Sequence, residues 1–396
     1  MSQHLHLPVD RAPQPWTGRV DGQGEEHLRW HQAIRPWPAI RLRPQDEGAQ
    51  REGAQREGAQ SEAAWGESAQ GESGRVASSG ESSSTEHGGE AGPGGVVLLG
   101  FSSDEGVERN QGRRGAAGGP AALRAALGSL SLLRPVIDAG FRVYDAGDVV
   151  TEDPDLEGAQ HRLGQAVSAA LDAGQLPIIL GGGHEIAYGT YQGVVSSRVR
   201  IEHGEQGRPA RLGILNLDAH FDLRQEQRPT SGTPFRQILE QEAREGTWVS
   251  YRVVGISETS NTQALFDAAE SFGVRWLPDT ACGITEKQRV SAFIADLLAE
   301  VDLLYLTVDL DVLPAAVTPG VSAPAACGVP LEVIEEACRQ AAASGKLAVA
   351  DIAELNPEYD VDGRTAKTAA RLIHRIATTH ITSRAAARST PGEQPA

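Results

Sequence analysis

The sequence predicts an α/β fold: one doubly wound, mostly parallel sheet with helices on both of its faces. Short, continuously apolar runs alternate along the chain with segments of helical periodicity, each about 10–15 residues long. Apolar runs that do not alternate with polar residues are typical of parallel strands covered on both faces. Regular alternation of strand and helix is typical of helical crossovers between parallel strands.

Each predicted strand is a short run rich in aliphatic or β-branched residues, and each predicted helix lies between two such runs. The predicted strands are 96–101, 141–149, 177–180, 212–217, 252–256, 303–308 and 347–352. The predicted helices are 120–133, 158–173, a helix from about residue 185, 235–245, 259–272, 285–298, 330–343 and 364–380. Pro120 marks the start of the first helix, because proline is favoured at the first helical position.

Composition divides the 396-residue chain into four parts. Residues 1–43 are predicted to form an N-terminal arm that packs on the main domain. Residues 44–95 repeat the pentad Glu-Gly-Ala-Gln-Arg and are rich in Gly, Ser, Glu and Gln. We expect this insertion to be disordered, since it buries too little apolar surface to offset its ordering entropy. Residues 96–384 form the expected single catalytic domain, and 385–396 a disordered tail.

Charge and cysteine content exclude several classes of protein. The formal net charge of −17 and the pI near 5.1 argue against a nucleic-acid partner, which requires a basic surface. No apolar run reaches membrane-spanning length and no signal-peptide pattern follows Met1, so we expect no membrane partner and a cytoplasmic location. Three cysteines without zinc-type or disulfide spacing suit that reducing compartment.

Ionisable side chains cluster directly after three predicted strands. They are His184 after the 177–180 strand, Asp218, His220 and Asp222 after the 212–217 strand, and Asp309 and Asp311 after the 303–308 strand. Residues spaced by two along a strand share a face, so each cluster can converge on one point. In open parallel sheets, ligands bind beyond the carboxyl ends of the strands, which is where all three clusters would lie.

Two imidazoles and four carboxylates are too many for one closed zinc site and suit two divalent ions. Carboxylate-rich ligation with some imidazole favours Mn²⁺, and two such ions can share a water and lower its pKa. Each motif alone permits another interpretation: a hydrogen-bond network for the Asp-x-His-x-Asp motif, or a phosphate loop for the glycines before His184. That glycine run lacks the Gly-x-Gly-x-x-Gly and Lys-Ser/Thr features of nucleotide sites. The three motifs together favour a metal centre.

These motifs resemble the signatures of the ureohydrolase family, which contains arginase, agmatinase and formimidoylglutamase. The matching stretches are 181–184, 218–222, 308–311 and the segment Pro-Gly-Val-Ser-Ala-Pro at 319–324, within a similarity that spans about 96–380. The resemblance implies an arginase-like fold with two Mn²⁺ per subunit, assembled as a homotrimer or hexamer.

The resemblance also implies roles for individual residues. One manganese would be held by His184, Asp218, Asp222 and Asp309, and the other by Asp218, His220, Asp309 and Asp311. Asp218 and Asp309 would therefore bridge the two ions, and Asp222 would also orient the shared water. Glu354 matches the carboxylate that binds the cationic amidine or guanidine group of the substrate.

Within the family, the chain looks most like the formimidoylglutamases. Ser231 occupies the place of a histidine that shuttles protons in arginase and agmatinase, and the segments 231–237 and 313–320 are similar to those of formimidoylglutamase. Arg224 is placed to grip a substrate carboxylate through two parallel hydrogen bonds. Arg109 and Arg236 are further candidates for that role.

The substrate expected from this likeness is N-formimidoyl-L-glutamate, an anionic amidine that would be hydrolysed to L-glutamate and formamide in histidine degradation. An agmatinase-like or guanidino-acid hydrolase is the nearest alternative; it would release urea and would not need Arg224. A non-catalytic metal-binding scaffold would give no product. A nucleotide-binding module is the weakest alternative, and it would bind a nucleotide resin.

Overall fold

The computed structural model describes residues 7–38, 40–42, 94–152, 154–205 and 207–389 of the chain. Within these residues the strands, in chain order, are β1 (Leu7–Val9), β2 (Arg35–Pro36), β3 (Ile40–Leu42), β4 (Val96–Ser102), β5 (Val143–Val150), β6 (Leu176–Leu180), β7 (Leu212–Leu217), β8 (Val249–Ile256), β9 (Arg275–Pro278), β10 (Leu303–Asp309) and β11 (Leu347–Ala353). β1 pairs with β3 alone, and the other strands form one sheet.

The large sheet has nine strands in the order β2-β5-β4-β6-β11-β10-β7-β8-β9, and every pairing in it is parallel. The helices of the described residues are α1 (Trp30–Ala33), α2 (Glu105–Arg109), α3 (Gly119–Gly128), α4 (Arg134–Asp138), α5 (Leu156–Asp172), α6 (Ile186–Ser196), α7 (Arg198–Glu202), α8 (Pro234–Glu245), α9 (Gln263–Ser271), α10 (Lys287–Glu300), α11 (Leu331–Ala343) and α12 (Arg364–Ser389).

Helices cover both faces of the sheet, and the strands supply apolar side chains to each face. In β10, Leu304 and Leu306 belong to a core cluster shared with α3, α10, α11 and α12. Leu303 and Tyr305 belong to a second cluster shared with α5, α6, α8 and α9. Because neighbouring residues of one strand face opposite layers, the continuous apolar runs are fully buried. The predicted doubly wound α/β fold is confirmed.

The structure differs from the sequence prediction at several element boundaries. The helix predicted at 120–133 ends at Gly128 and is followed by a separate short helix, α4. The last helix runs to Ser389 rather than to residue 380. Strands β2 and β9, which extend the sheet at its two edges, were not predicted.

The segments outside the catalytic domain are described only in part. In the predicted arm, β2 pairs with β5, and Trp30 is buried in the core. Most of the predicted insertion, residues 44–93, and residues 390–396 of the predicted tail lie outside the described residues. No helix in the described part of the chain is both long enough and apolar enough to cross a membrane.

Candidate metal centre

The predicted ligands follow strands that are neighbours in the sheet. β6, β11, β10 and β7 lie side by side at its centre. The segment after β6 carries His184, the segment after β7 carries Asp218 to Asp222, β10 ends at Asp309, and Glu354 directly follows β11. Parallel strands end at the same edge, so segments far apart in sequence meet at one place.

The first group of donors surrounds the imidazole of His184. Its Nδ1 lies 3.2 Å from Oδ2 of Asp218, 3.0 Å from Oδ2 of Asp222 and 3.1 Å from Oδ2 of Asp309. His184, Asp218 and Asp309 are all buried, and their donor atoms lie close enough together to hold one metal ion.

The second group of donors lies beside the first and shares Asp218 with it. Nδ1 of His220 is 3.0 Å from Oδ2 of Asp311 and 3.6 Å from Oδ1 of Asp218. Asp218, His220 and Asp311 could likewise hold one metal ion. The two oxygens of Asp218 therefore face different histidines, as expected of a carboxylate that bridges two sites.

Hydrogen bonds from neighbouring groups fix the carboxylates of this cluster. The backbone N–H of His220 donates to Oδ1 of Asp218 at 2.6 Å, and that of Asp311 donates to Oδ1 of Asp309 at 2.9 Å. The amide of the buried Asn216 donates to Oδ2 of Asp218 at 2.9 Å. Such supporting contacts orient the ligands of a metal site before the metal binds.

Without a cation, the cluster has strongly perturbed ionisation. Burial alone would lower the pKa of His184, but its three carboxylate neighbours raise that pKa well above its ordinary value, and Asp311 and Asp218 do the same for His220. Burial and the neighbouring carboxylates raise the pKa of Asp222 to about 6, and they also raise that of Asp309. The carboxylates of this cluster therefore favour positive charge beside them.

The donor set fits divalent cations. Nδ1 of His184 is buried and makes no well-aligned hydrogen bond, although three carboxylate oxygens lie within 3.2 Å of it. Four atoms that converge without bonding to one another are arranged around a common point rather than paired. A cation at that point would compensate carboxylates that are otherwise costly to bury together.

Glu354 is held at the edge of the cluster in an unusual backbone conformation. Its φ of 71° lies in the left-handed region, as do the φ values of Asp222 (50°) and Gln111 (62°). The backbone N–H of His184 donates to Oε1 of Glu354 at 2.9 Å, whereas Oε2 is buried without a hydrogen-bond partner among the described residues. Burial and the nearby carboxylate of Glu185 raise the pKa of Glu354 to about 8. Strain of this kind is concentrated at functional sites.

A cavity of about 310 Å³ opens above the cluster. Its lining contains His184, His220, Asp222, Asp309, Asp311 and Glu354 together with Arg224 and Ser231. The other polar groups of this lining are Asn110, Gln111, Arg113 and Ser322. They were not among the predicted site residues, although the loop 109–113 resembles a family loop near the pocket and Ser322 lies in the matching segment 319–324. A larger cavity, of about 920 Å³, lies at the amino ends of the strands near Trp248, and it contains none of the clustered ligands.

Two of the candidate substrate-binding arginines are used elsewhere. Arg109 donates to the carboxylates of Glu105 and Glu157 and to backbone carbonyls, and it lies outside the cavity lining. Arg236 pairs with Glu240, one helical turn further along α8, at 2.8 Å and also lies outside the lining. Because these guanidinium groups already have anionic partners, we correct the expectation and omit both from the proposal below.

Ser231 is joined to one of the residues that sequence reasoning missed. The amide of Asn110 donates to Oγ of Ser231 at 3.1 Å, and the backbone N–H of Ser231 donates to the carbonyl of Gly106 at 3.0 Å. The segments around 110 and 231 thus form one wall of the cavity. The signals for Asn110 in the sequence were its position in a polar loop after the first strand of the domain and the likeness of the loop 109–113 to a family loop near the pocket.

Comparisons with known proteins agree with this site. Residues 94–378 match the model of the Arginase family. The formimidoylglutamase of Rhodococcus jostii is 52% identical over 96% of this chain and 99% of its own length, and that of Chromobacterium violaceum is 43% identical over 90% and 95%.

Solved structures give the same result. The crystal structure of Trypanosoma cruzi formiminoglutamase with Mn²⁺ has a TM-score of 0.62 and 26% identity, covering 72% of this chain and 93% of its own. The arginase of Bacillus subtilis has a TM-score of 0.60 and 25% identity, covering 72% and 98%. On the match to the family model and the identity of its relatives, this chain belongs to the arginase family.

Proposed function

We propose that this protein is a formimidoylglutamase: it hydrolyses N-formimidoyl-L-glutamate to L-glutamate and formamide. The observation that carries the proposal is that one cavity brings the guanidinium of Arg224 together with the two donor groups and Glu354. An anionic amidine needs a cation for its carboxylate and an anion for its amidine group, and this cavity offers both. The relatives named formimidoylglutamase support the choice of substrate.

The charged end of the substrate binds Arg224. Its side chain forms no ion pair with any described residue and lies beside Gly232, in the same cavity lining as Asn110. Arg113 is a second cation in the lining; its guanidinium donates to the carbonyls of Val321 and Ser322. Arg224 is therefore free to form the bidentate contact that guanidinium groups make with carboxylates.

The amidine end binds Glu354. Oε1 already accepts the N–H of His184, so the unpartnered Oε2 is the acceptor for an amidine N–H. A protonated carboxyl group with a pKa of about 8 also loses its proton readily when a cation approaches. The substrate is thus held across the cavity, with its formimidoyl carbon above the aspartate cluster.

Hydrolysis requires a nucleophile and a proton for the leaving amine. Two divalent cations bound in the cluster would supply a water of lowered pKa as the nucleophile. Asp222 would orient that water and carry its proton to the glutamate nitrogen. The bond between this nitrogen and the formimidoyl carbon then breaks, and that carbon leaves as formamide, with its new oxygen derived from water.

The cofactor proposed for this site is Mn²⁺, two ions per subunit. His184, Asp218, Asp222 and Asp309 would hold one, and Asp218, His220, Asp309 and Asp311 would hold the other. Oxygen-rich ligation with one imidazole per ion suits this metal, and a relative solved with Mn²⁺ supports it.

The proposal extends to organisation and location. We propose one catalytic domain over 96–384, a homo-oligomer that is a trimer or a hexamer, and a cytoplasmic location. Free thiols at all three cysteines, Cys282, Cys327 and Cys338, suit a reducing compartment.

Turnover of formimidoylglutamate by the Mn²⁺-loaded full-length chain tests the function. Formamide and glutamate are measured as products, with arginine, agmatine and guanidino acids assayed in parallel for release of urea. We expect formamide from formimidoylglutamate alone. Urea from a guanidino substrate would keep the metal centre and overturn the substrate, and no product from any of them would leave only a metal-binding scaffold.

Replacing Arg224 with glutamine is expected to raise KM for formimidoylglutamate roughly 10- to 100-fold, because a charge-assisted contact worth about 1.5–3 kcal/mol is lost. The kcat should change much less, since the contact is remote from the bond that breaks. Arg228→Gln is the matched control: it lies in the same loop, pairs with Glu157 and lies outside the cavity lining. Equal KM values for the two variants would contradict the proposed role of Arg224.

A further inference from the structure

A chain of buried polar side chains leads away from the cluster into the sheet. The far nitrogen of the His184 imidazole, Nε2, lies 2.9 Å from the hydroxyl oxygen of Thr307. Thr307 and Asp351 are register partners on the adjacent parallel strands β10 and β11. Asp351 accepts a hydrogen bond of 2.5 Å from the hydroxyl of Tyr305, two residues before Thr307 on the same face of β10.

Asp351 is a carboxylate inside the central sheet. It is fully buried, and none of the ion pairs among the described residues includes it. Burial raises its pKa, and the hydroxyls of Thr307 and Tyr305 oppose that rise. Its second oxygen, Oδ1, has no well-aligned hydrogen bond. A buried carboxylate without a counter-ion lowers stability, and the position of Asp351 beside Thr307 points to a role in the neighbouring site.

The chemistry of the histidine supplies such a role. An imidazole binds a metal through a nitrogen that carries no proton, so the proton must be on the other nitrogen. Nδ1 of His184 faces three aspartates, so Nε2 must carry the proton. The hydroxyl oxygen of Thr307 then accepts the hydrogen bond from Nε2–H. A threonine hydroxyl can also donate, and if it donated to Nε2 it would favour the wrong tautomer.

We propose that Asp351 and Thr307 are positioning residues that fix the tautomer and orientation of His184 for metal binding. In this arrangement Oδ1 of Asp351, which has no well-aligned partner among the described residues, accepts the hydroxyl hydrogen of its register partner Thr307. Thr307 can then only accept from Nε2–H of His184. The lone pair of Nδ1 then points at the aspartates. This inference rests on the metal centre of the proposed function. It concerns the metal site that contains His184 and not the one that contains His220.

The test is a calorimetric titration of metal-free protein with Mn²⁺, using four single variants and the double variant Thr307→Val/Asp351→Asn. Thr307→Val keeps the shape and removes the hydroxyl, Asp351→Asn keeps the shape and removes the charge, and Thr307→Ser restores a hydroxyl. Tyr305→Phe is the matched control, since it removes the other hydrogen bond of Asp351 and leaves Thr307 intact. Thermal unfolding followed by circular dichroism checks that every variant is folded.

Thr307→Val and Asp351→Asn are each expected to weaken one of two Mn²⁺ sites about 10- to 100-fold, the usual effect of removing a supporting contact of a metal ligand. The double variant should be no weaker than either single variant, because both act through one chain. Thr307→Ser and Tyr305→Phe should bind both ions nearly as the unmodified protein does.

The possible failures are distinct. If every variant binds two Mn²⁺ with the same dissociation constants as the unmodified protein, the positioning role is overturned and the metal centre stands. Equal weakening of both sites, or a Tyr305→Phe effect as large as that of Asp351→Asn, would indicate a general packing effect and would also overturn it. Unmodified protein that does not bind two Mn²⁺ would instead refute the metal centre on which the inference rests.

Discussion

Replacing Asp309 with asparagine is expected to abolish metal binding and turnover together. Oδ2 of Asp309 lies 3.1 Å from Nδ1 of His184, and we assign this carboxylate to both ions. A neutral amide keeps the shape but loses the charge that holds a cation. Since metal-ion catalysis is worth several kcal/mol of transition-state stabilisation, kcat/KM should fall by about 10³-fold or more.

Metal content by mass spectrometry and kcat/KM on the same preparation measure this effect. The matched control is Asp302→Asn, which removes a carboxylate at the other end of the same strand, where Asp302 pairs with Arg211 on the surface. That variant should keep both ions and full turnover. An Asp309→Asn enzyme that retains two Mn²⁺ or its activity would refute the assigned site.

Binding of Mn²⁺ is expected to tighten steeply as the pH rises. In the metal-free protein the pKa values of His184 and His220 lie well above their ordinary value, and that of Asp222 is about 6. The metal must displace these protons, and each one displaced contributes about tenfold in affinity per pH unit below the pKa of its group. From about pH 5.5 to pH 7.5 the dissociation constant should therefore fall by about 10²-fold or more.

Titration calorimetry in two buffers with different ionisation enthalpies counts the protons released on binding. His220→Asn should reduce the number released. His203→Gln should not, because His203 lies on the surface and bonds only to the carbonyl of Val199 among the described residues. A dissociation constant that does not change with pH would show that the cluster is already deprotonated and would contradict the prediction.

The central part of the molecule could be predicted from sequence because it depends on short-range patterns. Strands β6, β7, β10 and β11 are buried on both faces, so burial alone produces the continuous apolar runs that identify them. The clustered histidines and aspartates directly follow such runs, and parallel topology brings strand ends together whatever the helices between them do. The motifs therefore located the candidate ligands without knowledge of the loops.

The peripheral elements could not be predicted in this way. Strand β9 has four residues, which include an arginine and a proline, and β2 has only two, so neither forms an apolar run. They are edge strands, where these residues are tolerated. The helix that was predicted to reach residue 133 ends at Gly128. The prediction extended too far because the helical spacing of apolar residues continues beyond the point where the backbone leaves the helix.

The predicted substrate-binding arginines also show what local sequence patterns could not indicate. Arg109 and Arg236 were suggested by charge and nearness in sequence, but their neighbours Glu105, Glu157 and Glu240 already neutralise them. Gln111 lines the cavity and has a φ of 62°, a left-handed conformation that few residues other than glycine adopt. No local pattern in the sequence indicates such a conformation.

The order of the four central strands also has a consequence for how the protein matures. β6, β11, β10 and β7 are neighbours in space but far apart along the chain, so their pairing requires closure of long loops and is expected late in folding. The metal ligands cannot meet before that, and manganese therefore cannot nucleate the fold. Refolding of the central sheet should then proceed at the same rate with or without Mn²⁺, which stopped-flow measurements can check. Newly made chains would be folded but inactive until they bind metal. The supply of metal would then set the fraction of folded protein that is active.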